Sequence, residues 1–557
     1  MRLRLVALNA KYNHTNLAVR SIVQYAREHG AEDISFLELT VNHNPDDILE
    51  RMVREEAELY LFSCYIWNIA LAEKVAENLR KLRPQALIGA GGPEVSYASE
   101  AFLRKNPAFD FLLTGEGEES AAGVFLAMQA GQEWRACPGL VYRNGDALVQ
   151  TAPAPVPAMD EVPFGYEDLA VLTGRTLYYE STRGCPFACS YCLSSVQKGV
   201  RERSLELVFA HLERFLEACV RQVKFVDRTF NANPERALAI WRFLAERDNG
   251  VTNFHFELAA GLLCEQQLAF LKGVRPGLFQ FEIGVQSLNG DTLRTIRRPQ
   301  DRDKLTQMVT ALREPGNIHL HLDLIAGLPN EELESFIDSF NGVYALRSHQ
   351  LQLGFLKVLK GSEMERTAAE HGIVYRAQAP YQVLYTRWLS YEQLSLLKAV
   401  ERMVEIYYNS GRFSAITEHL CARFSTPFAF YKALAEKYVR AEQSGVVGKT
   451  QQYELLAELM REYGEPVTQT AQWLCKFDLL CNERPRKLPN WIQAKETQLR
   501  RQEVKAFLTA LPPEECNVHV EYFPFDPRSG KEEPVALLFD YSRRDFTGKA
   551  ECRAVEL

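Results

Sequence analysis

The sequence has no apolar run near the roughly 18 residues that a membrane-spanning helix needs, so no membrane span is expected. It also lacks the short apolar core of a secretory signal; Met1-Arg-Leu-Arg-Leu-Val-Ala-Leu8 reads instead as a first β-strand. No disulfide framework is visible: the 12 cysteines are scattered apart from one close group, which fits a reducing, cytoplasmic setting. Basic residues are not in excess. With a net charge of −8 and dispersed Lys and Arg there is no general nucleic-acid signal, though a local basic channel stays compatible with such a substrate. No Gly-x-Gly-x-x-Gly follows the first strand, which argues against a nicotinamide dinucleotide. What remains is ordinary globular composition, 46% hydrophobic and 24% charged over 557 residues. That length suits about three domains, each with a core of its own.

The most informative stretch is Glu180-Ser-Thr-Arg-Gly-Cys-Pro-Phe-Ala-Cys-Ser-Tyr-Cys-Leu193, which spaces Cys185, Cys189 and Cys192 as C-x3-C-x2-C. Gly184 and Pro186 open a loop directly after an extended run, Thr176–Tyr179. Such close spacing lets one loop wrap three thiolates around an iron–sulfur centre. A cubane usually takes four thiolates, so three leave one iron free for a small-molecule ligand. A zinc knuckle would want a fourth ligand nearby, and neither Cys nor His follows closely. Three ordinary buried cysteines are the plain alternative.

With an aromatic, Tyr191, before the last cysteine, the motif resembles the radical S-adenosylmethionine (radical SAM) superfamily. The resemblance implies a [4Fe-4S] cluster on the three cysteines, with the methionine moiety of SAM on the open iron. It also implies release of a 5′-deoxyadenosyl radical after electron transfer from a low-potential donor such as flavodoxin or ferredoxin.

Residues 1–135 alternate strand-like and helical patterns five times, which predicts a doubly wound parallel sheet with ligand loops beyond the strand C-termini. Those loops are Asn9–Asn16, Ser63–Asn68, Gly91-Gly-Pro-Glu-Val-Ser96 and Gly115-Glu-Gly-Glu118. Glycine turns of a nucleotide-type fold account for them equally well. Together with the cysteine loop, they resemble the cobalamin-binding domain of cobalamin-dependent radical SAM proteins. The resemblance marks Ser63, Trp67, Asn68, Gly91, Gly92, Pro93, Glu94, Glu116, Gly117 and Glu118 as candidate cobalamin contacts. The Asp-x-His-x-x-Gly that supplies a lower cobalt ligand in many cobalamin modules is missing, so a base-off corrinoid without a protein histidine is implied. His14 reads as a hydrogen-bonding loop residue. Residues 136–175 are expected to be a hairpin and a Pro-rich linker, Pro153-Ala-Pro-Val-Pro-Ala158.

Residues 176–370 alternate again, giving six expected strands and, by the resemblance, a partial (β/α)6 barrel. Asp227, Glu257, Gln286, Asp323 and Lys357 fall at strand C-termini, where barrel sites lie. Gly284-Val-Gln-Ser287, Arg298 and His321–Pro329 resemble the branch containing anaerobic coproporphyrinogen dehydrogenase. That likeness implies Glu257 and Gln286 on the ribose hydroxyls, Arg298 on the methionyl carboxylate and Asp323 near the adenosine. Tyr191 joins this SAM set. The family's second-strand Gly-Gly-Glu is replaced by Val226-Asp-Arg-Thr-Phe230, leaving Asp227 as candidate for the amino group.

Residues 371–557 read as mainly helical, over Glu392–Ser410, Pro427–Gln443 and Tyr453–Tyr463, ending in a β pair, Val518–Phe523 and Val535–Tyr541. They resemble a domain of undetermined function on some cobalamin-dependent radical SAM proteins and are a candidate substrate cap. Tyr407, Tyr408, Arg412 and Phe413 read as helix core rather than cavity lining. The expectation for the whole chain is an α/β cobalamin-dependent radical SAM enzyme that methylates an unactivated carbon. Its rivals are a non-methylating radical rearrangement or cyclisation, and a corrinoid- or redox-sensing binding protein with a structural cluster.

Overall fold

The computed structural model describes residues 1–196, 199–443, 445–462, 465–484, 492, 501–512 and 517–557. Its first layer is a seven-stranded sheet in the order β2-β1-β3-β4-β5-β6-β7. The strands are β1 (Leu3–Asn9), β2 (Ile34–Thr40), β3 (Leu59–Ser63), β4 (Leu87–Gly91), β5 (Phe111–Leu113), β6 (Leu140–Asn144) and β7 (Ala147–Gln150). The first five are parallel, as continuous apolar runs such as Leu-Tyr-Leu-Phe predict for strands covered on both faces. Two separate cores lie against the two faces, one built around Ile48, Val75 and Leu79, the other around Val19, Val124 and Phe125. Strand order reverses between β1 and β3, which places a ligand crevice at their C-terminal ends. The hairpin expected ahead of the Pro-rich linker is β6 and β7; it continues this sheet by antiparallel pairing to β5.

The second unit is an open six-stranded sheet, all parallel in the order β15-β14-β13-β12-β11-β8. Its strands are β8 (Thr176–Tyr179), β11 (Gln222–Phe225), β12 (Asn253–Leu258), β13 (Phe279–Gln286), β14 (His319–Ala326) and β15 (Gln350–Phe355). The first and last strands do not pair, so the barrel is partial. A further hairpin, β9 (Thr182–Cys185) with β10 (Gly199–Glu202), brackets the cysteine loop. Neither Thr-Arg-Gly-Cys nor Gly-Val-Arg-Glu alternates, so no pattern announces it.

The C-terminal region packs on the outside of this barrel. The helix Leu333–Tyr344 meets the helix Pro427–Glu442, with the Phe340 and Phe428 rings edge to face at 5.6 Å, and one continuous core runs through both. Helices cover Tyr391–Val404, Pro427–Glu442 and Lys449–Arg461; Tyr463, at the end of the expected third helix, lies outside the described residues. The expected closing β pair is a three-stranded antiparallel sheet, with Ala550–Val555 added beside Val535–Arg544. Its outer strand, Ala-Glu-Cys-Arg-Ala-Val, is too polar and short to stand out by pattern. Among the described residues, no helix is long and apolar enough to cross a membrane.

Candidate active site

The cysteine loop is held at three places. At its start, Gly184 has φ +104 and sits where a Cβ would drive into the Gly199 carbonyl, so only glycine lets β9 pair with β10 there. In its middle, the Ser190 N–H donates to the Ile296 carbonyl at 3.0 Å, and the Ser190 carbonyl accepts from Met364 N–H at 2.8 Å. At its end, Cys192 N–H closes a turn on the Cys189 carbonyl at 3.1 Å. None of the three thiols is in a disulfide. Burial pushes the Cys189 thiol up, opposed by the Arg298 guanidinium, whose Nη1 lies 3.8 Å from Sγ, while the Cys185 and Cys192 sulfurs are near enough to add their own repulsion. A cation beside mutually repelling sulfurs suits a loop that gathers thiolates.

Behind the loop, β13 ends in Gly284-Val-Gln286. Arg298 Nη2 donates to the Gly284 carbonyl, and among the described residues its buried Nε has no partner. Gln286 is a non-glycine residue at φ +69, a left-handed backbone whose cost needs support from outside. The support comes from its neighbour: the Ser287 hydroxyl donates to the fully buried Glu331 carboxylate at 2.6 Å and accepts from Asn289 N–H at 3.0 Å. A Cβ at Gly284 would lie 3.2 Å from Arg298 Nη2 and collide with the Gln286 amide. Glycine is what lets guanidinium and amide share this corner.

Glu257, at the end of β12, is pushed up to about 7 by burial, with the Arg228 charge opposing. Beneath it the barrel lumen holds polar side chains that the sequence reading missed. Lys224 Nζ and His255 Nε2 both reach Glu282 Oε2, at 3.2 and 3.0 Å. Burial opposes ionisation of Glu282, yet the His255 hydrogen bond and the Lys224 charge bring it down to about 2. His321 Nε2 lies 3.0 Å from Asp323 Oδ1, but neither atom makes a well-formed hydrogen bond. Inward residues of a curved sheet are usually apolar, so alternation along β12 to β14 gave no sign that these face inward.

A cavity of 850 Å³ lies between the two units. Its walls include Ser63, Trp67, Gly91, Gly92, Pro93, Glu116, Gly117 and Glu118 from the first unit and Tyr178, Tyr179, Gly184, Leu193, Ser194 and Arg228 from the second. Gly92, at φ +105, brings its backbone so close to Cys64 that a Cβ would meet the Cys64 carbonyl oxygen at 2.5 Å. The Trp67 indole is 47% exposed and stacks on Tyr65 with ring centroids 4.4 Å apart. Among the described residues, none from 371–557 lines the cavity, so the expected substrate cap makes no wall of it.

Residues 3–125 match the family described as B12 binding domain, and residues 179–341 the radical SAM superfamily. The chain thus carries a B12-binding domain followed by a radical SAM domain. Residues 369–538 match a third family, protein of unknown function (DUF4080). The cobalamin-dependent radical SAM methyltransferase TokK of Streptomyces tokunonensis is 28% identical over 326 residues, 53% of this chain and 46% of that protein. The anaerobic magnesium-protoporphyrin IX monomethyl ester cyclase of Synechocystis is 26% identical over 261 residues, 43% of this chain and 50% of that protein. The alignments thus span about half the length of these curated relatives. The cobalamin-dependent radical enzyme OxsB, solved with aqua-cobalamin and S-adenosylmethionine, shares the fold at a TM-score of 0.60 and 14% identity, over 92% of this chain and 81% of that one.

The cofactors are therefore a [4Fe-4S] cluster, SAM and cobalamin. The donor sets fit them. In the radical SAM domain, three unpaired thiols meet a guanidinium with an orphaned buried Nε beside the left-handed Gln286. In the B12-binding domain, the glycine loops open onto the cavity, and His14 is engaged elsewhere: its Nδ1 lies 2.8 Å from the Tyr178 hydroxyl.

Three sequence candidates are occupied otherwise. Asp227 is fully buried and accepts from Ser181 N–H at 3.0 Å, Ser181 Oγ at 2.6 Å and Thr182 Oγ1 at 2.7 Å, so it fastens the chain leading into β9 instead of facing a ligand. Asn68 clamps its own loop, donating to the Leu8 and Ser63 carbonyls and accepting from Tyr65 N–H. Glu94 accepts from the Tyr381 hydroxyl at 2.7 Å and lies 3.6 Å from Lys360 Nζ, joining the B12-binding domain to the segment after the barrel. Glu116 and Glu118 line the cavity but pair with Arg183, and Glu116 also with Arg201. Tyr407 and Phe413 are buried core, as their helical spacing predicted.

Proposed function

We propose that this chain is a cobalamin-dependent radical SAM methyltransferase acting on an unactivated carbon. The observation that carries the reading is the shared cavity, whose walls run from the glycine loops of the B12-binding domain to Gly184, Leu193 and Ser194 of the cluster loop. When bound, the three cofactors supply a hydrogen-abstracting radical and a transferable methyl group. Cys185, Cys189 and Cys192 hold the cluster; Arg298 pairs with the methionyl carboxylate, and Gln286 with Glu257 takes the ribose hydroxyls. Ser63, Trp67, Gly91, Gly92 and Pro93 bear on the corrin. Tyr65, Tyr178 and Tyr179 wall the cavity and keep water from a reactive centre.

Reduction would come from a low-potential flavodoxin or ferredoxin in the cytoplasm. Similarity to the Synechocystis cyclase favours one second reading, a non-methylating cyclisation with the same cofactors. Product analysis separates the two. Methyl transfer yields S-adenosylhomocysteine with 5′-deoxyadenosine, whereas deoxyadenosine alone removes methylation.

A further inference from the structure

The charged groups around the cavity are nearly all spoken for. Glu116, Glu118 and Glu180 pair with Arg183, and Arg203 is buried with its Nη1 donating to the Val162 carbonyl at 2.7 Å. His14 is tied to Tyr178. Arg228 is different. It lines the cavity and is exposed, and among the described residues its guanidinium makes no hydrogen bond or ion pair. Its place follows from its neighbour: Asp227 turns inward to hold Ser181 and Thr182, so the next side chain turns out, over the end of β11. It stands between the aromatic wall and the SAM cradle, close enough to act electrostatically on both Tyr65 and Glu257.

We propose that Arg228 is the recognition residue for an oxyanion, a carboxylate or phosphate, carried by the substrate. The inference rests on the cavity being the substrate chamber of the proposed enzyme, and it narrows the substrate to an acid with an apolar or aromatic body. A guanidinium presents a planar fork that two oxygens of either group satisfy. Arg298 already stands beside the cluster loop for the methionyl carboxylate, so a second fork on the cavity side has a different anion to meet. Tyr65, Tyr97 and Tyr178 offer flat faces to the rest of the molecule.

The test uses holoenzyme reconstituted with cluster, cobalamin and SAM, titrated by calorimetry with benzoate, phenyl phosphate and, as neutral control, benzyl alcohol. Both anions are expected to bind more tightly than the alcohol, and Arg228→Gln to weaken them about tenfold or more without changing the alcohol. Whichever anion wins identifies the oxyanion. Equal binding of anions and alcohol, or anion binding unchanged in Arg228→Gln, overturns the proposal. If Arg228→Gln instead loses its corrin absorbance on gel filtration, the residue serves cobalamin and the proposal also fails. Failure of the unaltered protein to retain corrin at all would instead sink the cobalamin reading beneath it.

Discussion

Two residues carry unusual backbone or packing demands for one purpose. Gly284 leaves room for the Arg298 guanidinium and the Gln286 amide, and Gln286 keeps a left-handed φ of +69. Gly284→Ala should therefore weaken SAM binding by about tenfold or more, the scale of one lost charge-assisted contact, while the far-ultraviolet spectrum stays unchanged; unaltered SAM affinity by equilibrium dialysis would count against the cradle. Glu331 underpins the same corner. Its carboxyl, buried beside Ser287 and Ser339, is pushed up to about 7 by burial. A raised folded pKa means stability present below the unfolded value near 4.5 and lost as pH rises through 7. Glu331→Gln keeps an acceptor without the charge, so it should gain stability relative to the native chain between pH 5 and 8, by up to about 3 kcal/mol. Urea unfolding at the two pH values reads this directly, and no change in the difference would contradict it.

At the scale of elements, the cluster loop is suspended from the β9–β10 hairpin, and Gly184 is the point where the strands come closest. Gly184→Val should separate the strands and lower iron and sulfide per chain severalfold after reconstitution, while cobalamin binding persists. The parallel strands of the first sheet were legible in the sequence because strands covered on both faces are continuous apolar runs, as in Leu5–Leu8 and Leu59–Phe62. The hairpin around the cysteines was not, since Thr-Arg-Gly-Cys and Gly-Val-Arg-Glu carry no alternation. Cys185, Cys189 and Cys192 announced themselves by spacing alone. Lys224, His255, Glu282 and His321 did not, because a polar residue in a strand reads as facing solvent, and only the curvature of the sheet turns these inward. Asp227 misled for a related reason: sequence position gave its place on the rim but not that Ser181 and Thr182 would claim its carboxylate.

At the scale of the molecule, the B12-binding domain is fastened by charge both to the cluster hairpin and to the linker. Arg183 bridges Glu116 and Glu118 across the interface, and Glu38 binds Arg20 of its own domain and Arg175 of the linker. Beyond the barrel, Glu94 meets Tyr381 and Lys360, with the Tyr97 ring against Gly361. Arg183→Ala would leave Glu116 and Glu118 with less than their present partners in a region 6–9% exposed, a loss of about 3 kcal/mol. The expected result is faster limited proteolysis in the Pro153–Ala158 linker and weaker corrin retention; unchanged proteolysis would mean the pairs do not hold the domains. On the proposed function, SAM and cobalamin serve one chamber and one transfer. The direct measurement is to supply reduced holoenzyme with SAM labelled in its methyl carbon and with the acidic metabolites of an anaerobic extract. Labelled product together with S-adenosylhomocysteine and 5′-deoxyadenosine is the expected result; deoxyadenosine formed without S-adenosylhomocysteine or labelled product would rule out methyl transfer in this chamber.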